Sequence, residues 1–358
     1  MSLTTSFGKA VLSSSPGTIN RGKFLATPLY DCIFFIFSPL IALWIGIMIS
    51  GTPFADSDVV VLGKEASLAS IFIGTFIMAH LGIVFVRSHL NREIFKLYPI
   101  RFTVVPVALF IAMSLSQWMA AFVAVLATWW DVYHSSLQTF GLGRIYDMKA
   151  GNSPQAGRSL DKWLNLLLYA GPILAGATLM DHMNDFSEFE SVESAFFTSI
   201  PSRVRPLQPF LILGIFGVGV PFLLFYIYRY WQLYQQGYNV SFQKVALLVS
   251  TGLCSVYTWG FNSFGEAFFI MNFFHALQYF AIVWWMEKKT LTGLLKLEGS
   301  RWGKPVALAL LLFVGFGYGF WAELTDANNE AGYNLVMVIA IMHFWYDGFI
   351  WSVRKKLV

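Results

Sequence analysis

Ten stretches of about twenty residues, almost free of charge, leave this chain little choice of fold. They run over 28–50, 66–87, 102–117, 119–143, 159–180, 206–230, 242–259, 263–286, 304–323 and 333–353. A helix rises 1.5 Å per residue and satisfies its own backbone hydrogen bonds, so runs of this length match about 30 Å of hydrocarbon. The runs are continuous rather than alternating, which argues against a transmembrane barrel. Charged residues make up 12% of the 358, and apolar ones 56%; soluble domains carry roughly 25% and 45–50%. Too little charge remains to coat a water-facing surface, and a net +4 spread over this length is no phosphate-binding stripe. A soluble enzyme, a disordered chain and a nucleic-acid binder are all disfavoured. The expected class is all-α, a polytopic integral membrane bundle of about ten transmembrane helices.

The expected organisation is a single transmembrane domain over 28–353, between a polar segment 1–27 and a basic tail 354–358. The first apolar run lacks the short apolar core and cleavage site of a signal peptide, so it is expected to stay as a membrane helix. Cys32 and Cys254 both fall inside apolar runs, which gives neither a disulfide framework nor a zinc-knuckle spacing.

Basic residues orient the bundle. With the N-terminus inside, Arg87, Arg92, Lys96 and Arg101 share one inner loop, and Arg144, Lys149, Arg158 and Lys162 the next. Lys288, Lys289, Lys296, Arg301 and Lys304 follow, and Arg354, Lys355 and Lys356 end the chain on the same side. The opposite loops are mainly acidic, as in Asp181, Asp185, Glu188, Glu190 and Glu193. Lys64, Arg203 and Arg205 fall on the outer side, too few to reverse the bias, so positive charge stays largely on the cytoplasmic side. Ten spans, with both termini inside a cytoplasmic (inner) membrane, follow.

Four of the six histidines lie in these runs, on helices that all descend from outside to inside. His80, His134, His275 and His343 precede the next inner basic residue by seven, ten, thirteen and eleven positions. At 1.5 Å per residue they share a slab about 9 Å thick. Asp131 and Gln138 flank His134, Gln278 follows His275 by three, and Asp347 follows His343 by four. Each pair therefore shares a helix face. Asp31 reaches a similar depth from helix one, or else caps that helix.

Ionisable groups at membrane depth are costly unless paired or liganded, and imidazole is the commonest metal ligand. The layer reads as a metal site with ligands His80, His134, His275, His343, Asp347 and Asp31. Asp131, Asp347, Gln138 and Gln278 are the residues expected to assist catalysis. Imidazole with carboxylate and no thiolate suits Fe(II), Zn or Cu, with haem a further alternative. Arg87 and His89 read as an inner-interface anchor, His182 as a solvated side chain of the acidic outer loop, and Gly315, Gly317 and Gly319 as close helix packing.

The string His343-Phe-Trp-Tyr-Asp347 resembles the His-x-x-x-Asp setting of the Brp/Blh family of membrane β-carotene-cleaving dioxygenases. That family carries its iron-binding histidines singly on several helices. The resemblance covers isolated motifs, and the family's His-Gly motif is absent from this chain. It implies iron held by His80, His134, His275 and His343, and oxygenase chemistry on an isoprenoid-like substrate. The strings around His134, His275 and His343 are also similar to those of uncharacterised bacterial membrane proteins. The expected function is thus a metal-dependent membrane oxidoreductase. Its partners would be the bilayer, a hydrophobic small molecule, dioxygen and an electron donor. A transporter using the same layer as an ion or proton pathway, or a haem-binding subunit, is the alternative.

Overall fold

The computed structural model describes residues 16–20, 22–325 and 329–352. Lys9, Arg21, Asp326, most of the polar segment and the whole basic tail, with Arg354, Lys355 and Lys356, lie outside them. The described residues are 81% helical, and the few strand residues among them form a two-residue parallel bridge (Ile19–Asn20 with Val240–Ser241) and one hairpin (Asp58–Val61 with Lys64–Ser67). The fold is all-α.

Ten helical segments carry the bundle. They are α1 (Pro28–Ile36 and Ser38–Ile49, bent by 59°), α2 (Leu68–Leu90), α3 (Pro99–Leu115), α4 (Gln117–Lys149) and α5 (Arg158–Ala175). The second half holds α6 (Gln208–Gln235), α7 (Phe242–Phe261), α8 (Phe264–Leu294), α9 (Gly303–Glu323) and α10 (Glu330–Ile350). Among the described residues, five helices are long and apolar enough to cross a membrane, or up to seven if each bent pair is one span. This makes a multi-pass membrane protein. The helices α4 and α7 fall outside that set although they have the length, because each turns serines, threonines and charged residues into the protein interior.

Local chemistry explains the boundaries. The apolar stretch around 102–143 divides at a single extended residue, Ser116, whose hydroxyl accepts from the Met119 amide and so starts α4. Ser241 and Ser263 cap α7 and α8 in the same way. The bend in α1 follows from Pro39, which has no N–H to offer the Phe35 carbonyl four residues back. That carbonyl accepts instead from Gln278 Nε2 on α8 at 2.9 Å, and the Ile36 carbonyl accepts from Ser250 on α7 at 2.5 Å. Broken backbone at membrane depth survives because neighbouring side chains satisfy it.

The helix α8 is enclosed on nearly all sides, whereas α6 touches the bundle mainly through α5 and turns its apolar surface outward. A Cβ built on Gly319 would sit 2.2 Å from the Thr75 carbonyl oxygen, and one on Gly315 3.1 Å from Ile83. These two glycines let α9 approach α2 backbone to backbone, while Gly317 faces open space.

Contacts between the connecting turns sort them into two ends. At one end Gly17 meets Tyr234, Thr18 meets Asn239, and Asn152 meets Asn239. At the other, Ser50 meets Glu266, Lys64 meets Glu323, and Ala177 meets Gly260.

The acidic segment after α5 is not an open loop. Leu179–Val192 folds as a helical pair turned 86° from α5 and lays Phe189 against Ala121 and Val125 of α4. His182, expected in solvent, is accordingly buried. Its Nδ1 bonds the Thr178 carbonyl at 2.8 Å, and its ring packs on Trp259 and Phe264.

Candidate metal centre

The helices α2, α4, α8 and α10 each turn one histidine to a common point. Ring centroids lie 5.0 Å apart for His80 and His275, 4.9 Å for His80 and His343, 5.1 Å for His134 and His275, and 4.8 Å for His134 and His343. All four rings are buried. The histidines reach one point because descending helices from distant parts of the chain pack around α8. The glycine contact with α9 fixes where α2 lies.

Two overlapping groups have ligand atoms close enough to share an ion: His80, His275 and His343, and His134, His343 and Asp347. His343 belongs to both. The Nε2 atoms of His134 and His343 are 3.1 Å apart. The two nitrogens hydrogen-bond to each other; bonds of 2.0–2.1 Å would place neighbouring nitrogens about 2.9 Å apart in an octahedral site and about 3.3 Å in a tetrahedral one, so the same spacing also suits two ligands of one ion. Asp347 Oδ2 lies 3.9 Å from His134 Nε2 and 3.7 Å from His343 Nε2, close enough to complete the group after a small side-chain adjustment.

Orphaned nitrogens test whether a metal fits. His80 Nδ1, His80 Nε2 and His275 Nε2 are buried and make no well-formed hydrogen bond. Buried polar atoms without a partner cost about 1–3 kcal/mol each, and one His80 nitrogen together with His275 Nε2 falls within the His80–His275–His343 group. The donor set fits a divalent transition metal.

Asp347 is positioned for one oxygen to face the histidines. Its Oδ1 accepts from Tyr279 Oη and from Trp351 Nε1, both at 2.9 Å. Oδ2 is left turned toward His134 and His343. Beneath the Trp351 ring sits the Arg87 guanidinium, 4.1 Å from its centroid. Arg87 corrects its reading as an interfacial anchor: it is 2% exposed and ion-paired with Glu287 at 2.5 Å. His89 joins α2 to α3, with Nε2 on the Phe102 carbonyl at 3.0 Å.

The remaining expected residues are placed differently. Gln138 Nε2 donates to the His275 carbonyl at 2.9 Å and to Gln278 Oε1 at 2.8 Å. The glutamines thus hold α4, α8 and α1 together, and neither bonds an imidazole nitrogen. Asp131 accepts from Ser135 at 3.2 Å and joins neither ligand group. Asp31 also stands apart. Its oxygens accept from the Leu25 and Ala26 amides and from Tyr146 Oη, so it ties down the approach to α1.

Sequence reasoning missed a second buried polar cluster. Arg144 Nη1 bonds Asp147 and Asp161 at 2.6 Å, and Lys244 Nζ bonds the same carboxylates at 2.8 and 2.7 Å. Tyr226, Tyr230 and Tyr238 donate to these carboxylates as well. Arg144, assigned to an inner loop from sequence, is thereby part of the interior, because α4 continues to Lys149. Two cations and two anions balance, which is the condition for burying them. A lysine inside the apolar run 242–259 was the available signal.

A cavity of about 580 Å³ reaches the centre from one side, between α4, α5, α8 and α10. His134, Gln138, Tyr279 and Asp347 line its inner part; His80, His275 and His343 do not. A scan against protein-family models, and comparisons with curated proteins and with solved structures, find no match to this chain.

Proposed function

We propose that this chain is a multi-pass membrane metalloenzyme, an oxidoreductase of the oxygenase kind acting on an apolar lipid or isoprenoid substrate. The observation that carries the reading is the set of buried His80 and His275 nitrogens without a well-formed hydrogen bond, beside a His134–His343–Asp347 group that borders a cavity. A structural metal site is closed, whereas a catalytic one keeps an open face. Here His80 and His275 lie behind, and His134 and Asp347 border the space a substrate would occupy.

On this reading His80, His134, His275, His343 and Asp347 hold the metal, and non-haem iron is first choice over zinc or copper. Bound there, iron would supply dioxygen-activating redox chemistry, with dioxygen and an electron donor as co-reactants. The chain's own residues do the rest. The Leu81 carbonyl, 3.3 Å from His343 Nδ1, favours the tautomer with the proton on Nδ1, leaving the Nε2 lone pair free to ligate. Tyr279 and Trp351 hold the carboxylate, and the apolar walls exclude water from the reacting atoms. Each of the four rings lies within about 5 Å of two others, a spacing that leaves no slot for a macrocycle between them and argues against haem. The protein would sit in the cytoplasmic membrane, ten spans deep, with both termini inside.

A transport pathway needs a polar route to both sides. One helical turn from His80, Phe76 instead stacks on Phe280 and Phe316 and meets Phe273 edge to face, at 5.4–5.5 Å, and this aromatic layer favours the enzyme. The test is metal content of purified, detergent-solubilised protein after loading with Fe(II), Zn(II) or Cu(II) and removal of loose metal. The expected result is stoichiometric retention, lost most completely in His343→Ala because that residue serves both groups. A folded wild-type protein that retains none of the three would overturn the reading.

A further inference from the structure

The cavity that borders His134 and Asp347 is not uniformly apolar. Its walls carry Trp130, Leu137, Ile282 and Phe344, and its rim carries Arg158 and Lys162. These two cations stand four residues apart at the start of α5, on one helix face. Both lean across onto α4: the Arg158 guanidinium lies 5.7 Å from the Phe140 ring centre and the Lys162 ammonium 5.3 Å from that of Tyr133. No carboxylate pairs with either of them among the described residues. Arg144, which also borders the cavity, is neutralised by Asp147 and Asp161. One continuous space therefore joins two uncompensated positive charges, an aromatic and aliphatic wall, and the imidazole–carboxylate face of the metal centre.

We propose that the substrate is an amphiphile with an anionic head, a carboxylate or phosphate on a long apolar chain. Arg158 and Lys162 hold the head, and the chain runs inward along the wall. This deepens the functional reading above and rests on it for the word substrate. The two cations mark a path along α4: Arg158 lies over Phe140, six residues or about 9 Å past His134, and Lys162 over Tyr133, beside His134. A head held between them lies beside the imidazole–carboxylate face, with the chain along the apolar wall. A neutral hydrocarbon would leave both cations without a partner. The volume lies within the ~300–1,000 Å³ range of small-molecule sites, enough for one chain.

The test is binding to full-length protein in nanodiscs of neutral phosphatidylcholine, with dodecyl phosphate, dodecanoate, dodecanol and inorganic phosphate as probes. The two anionic amphiphiles should bind in preference to dodecanol, and inorganic phosphate should fail to displace them at equal concentration. Arg158→Gln with Lys162→Gln should weaken the anionic probes about 30-fold, the effect of two surface cations each contributing about 1 kcal/mol, and leave dodecanol unchanged. Gly348 borders the cavity, with open space around its Cα. Gly348→Leu should therefore block all three amphiphiles, which adsorption to the protein surface would not show. Equal binding of dodecyl phosphate and dodecanol, displacement by inorganic phosphate alone, or indifference to the double substitution would each overturn the proposal. Metal content measured on the same samples separates the readings. Retained metal without head selectivity sinks only this proposal, and head selectivity without metal sinks only the metalloenzyme.

Discussion

Asp347 gives one oxygen to Tyr279 and Trp351 and turns the other toward His134 and His343, and one substitution can separate the two. Asn at this position keeps an oxygen for Tyr279 and Trp351 and turns an uncharged amide toward His134 and His343. Asp347→Asn should leave the unfolding temperature of the metal-free protein within a few degrees of wild type. Its metal affinity should fall by at least roughly the 10–100-fold typical of weakened support around a metal. Unfolding curves and a metal titration on the same preparation check both halves. A large loss of stability with unchanged affinity would make Asp347 a structural residue only. His343 and Asp347 were legible as a pair because a spacing of four names a shared helix face. Arg87 was not: its partner Glu287 stands 200 positions away, and counting cations by loop treats each as solvated. His182 failed for the same kind of reason, since Trp259 and Phe264 that enclose it come from another part of the chain.

At the scale of elements, the break in α1 and the glutamine on α8 are one device. Pro39 leaves the Phe35 carbonyl without its helical donor, and Gln278 supplies a replacement. Gln278→Ala should destabilise the protein by about 0.6–1.7 kcal/mol, the range measured for interhelical hydrogen bonds in membranes. Pro39→Ala restores an N–H where the carbonyl can use it, so the Gln278→Ala penalty should shrink in the Pro39→Ala background. A double-mutant cycle from unfolding in mixed micelles measures that coupling. A cycle that sums to zero would mean the two residues act independently. Helix existence was readable from apolar run length, and the ten expected runs each coincide with a helical segment. The ends were less readable. The helices α4 and α8 overrun their apolar stretches to Lys149 and Leu294, because Arg144, Asp147 and Glu287 find partners inside the protein and let the helix continue past the hydrocarbon pattern.

For the whole molecule, the two sets of turn contacts argue for strict alternation of the helices across the membrane. Residues 17–20, the α4–α5 turn and the α6–α7 turn meet at one end. The hairpin, the start of α8 and the end of α9 meet at the other. An even number of crossings separates each pair of turns at a common end, and an odd number separates opposite ends, as ten spans require. The first end gathers Lys149, Arg158 and Lys162, and the second Asp58, Glu266 and Glu323 together with Lys64. On the topology proposed above, the positive-inside bias would turn the first end to the cytoplasm. Reporter fusions after Asn152 and Leu297 should therefore read inside, and fusions after Asp58 and Asn184 outside. The cavity rim formed by Arg158 and Lys162 would then open at the cytoplasmic leaflet. Reversed signals at two or more sites would invert the bundle and move that rim to the outer leaflet. Mixed signals at Asn152 alone would instead question whether α4 and α5 both cross. The convergence of the histidines would survive either outcome, since it depends on packing between helices and not on which side faces the cell interior.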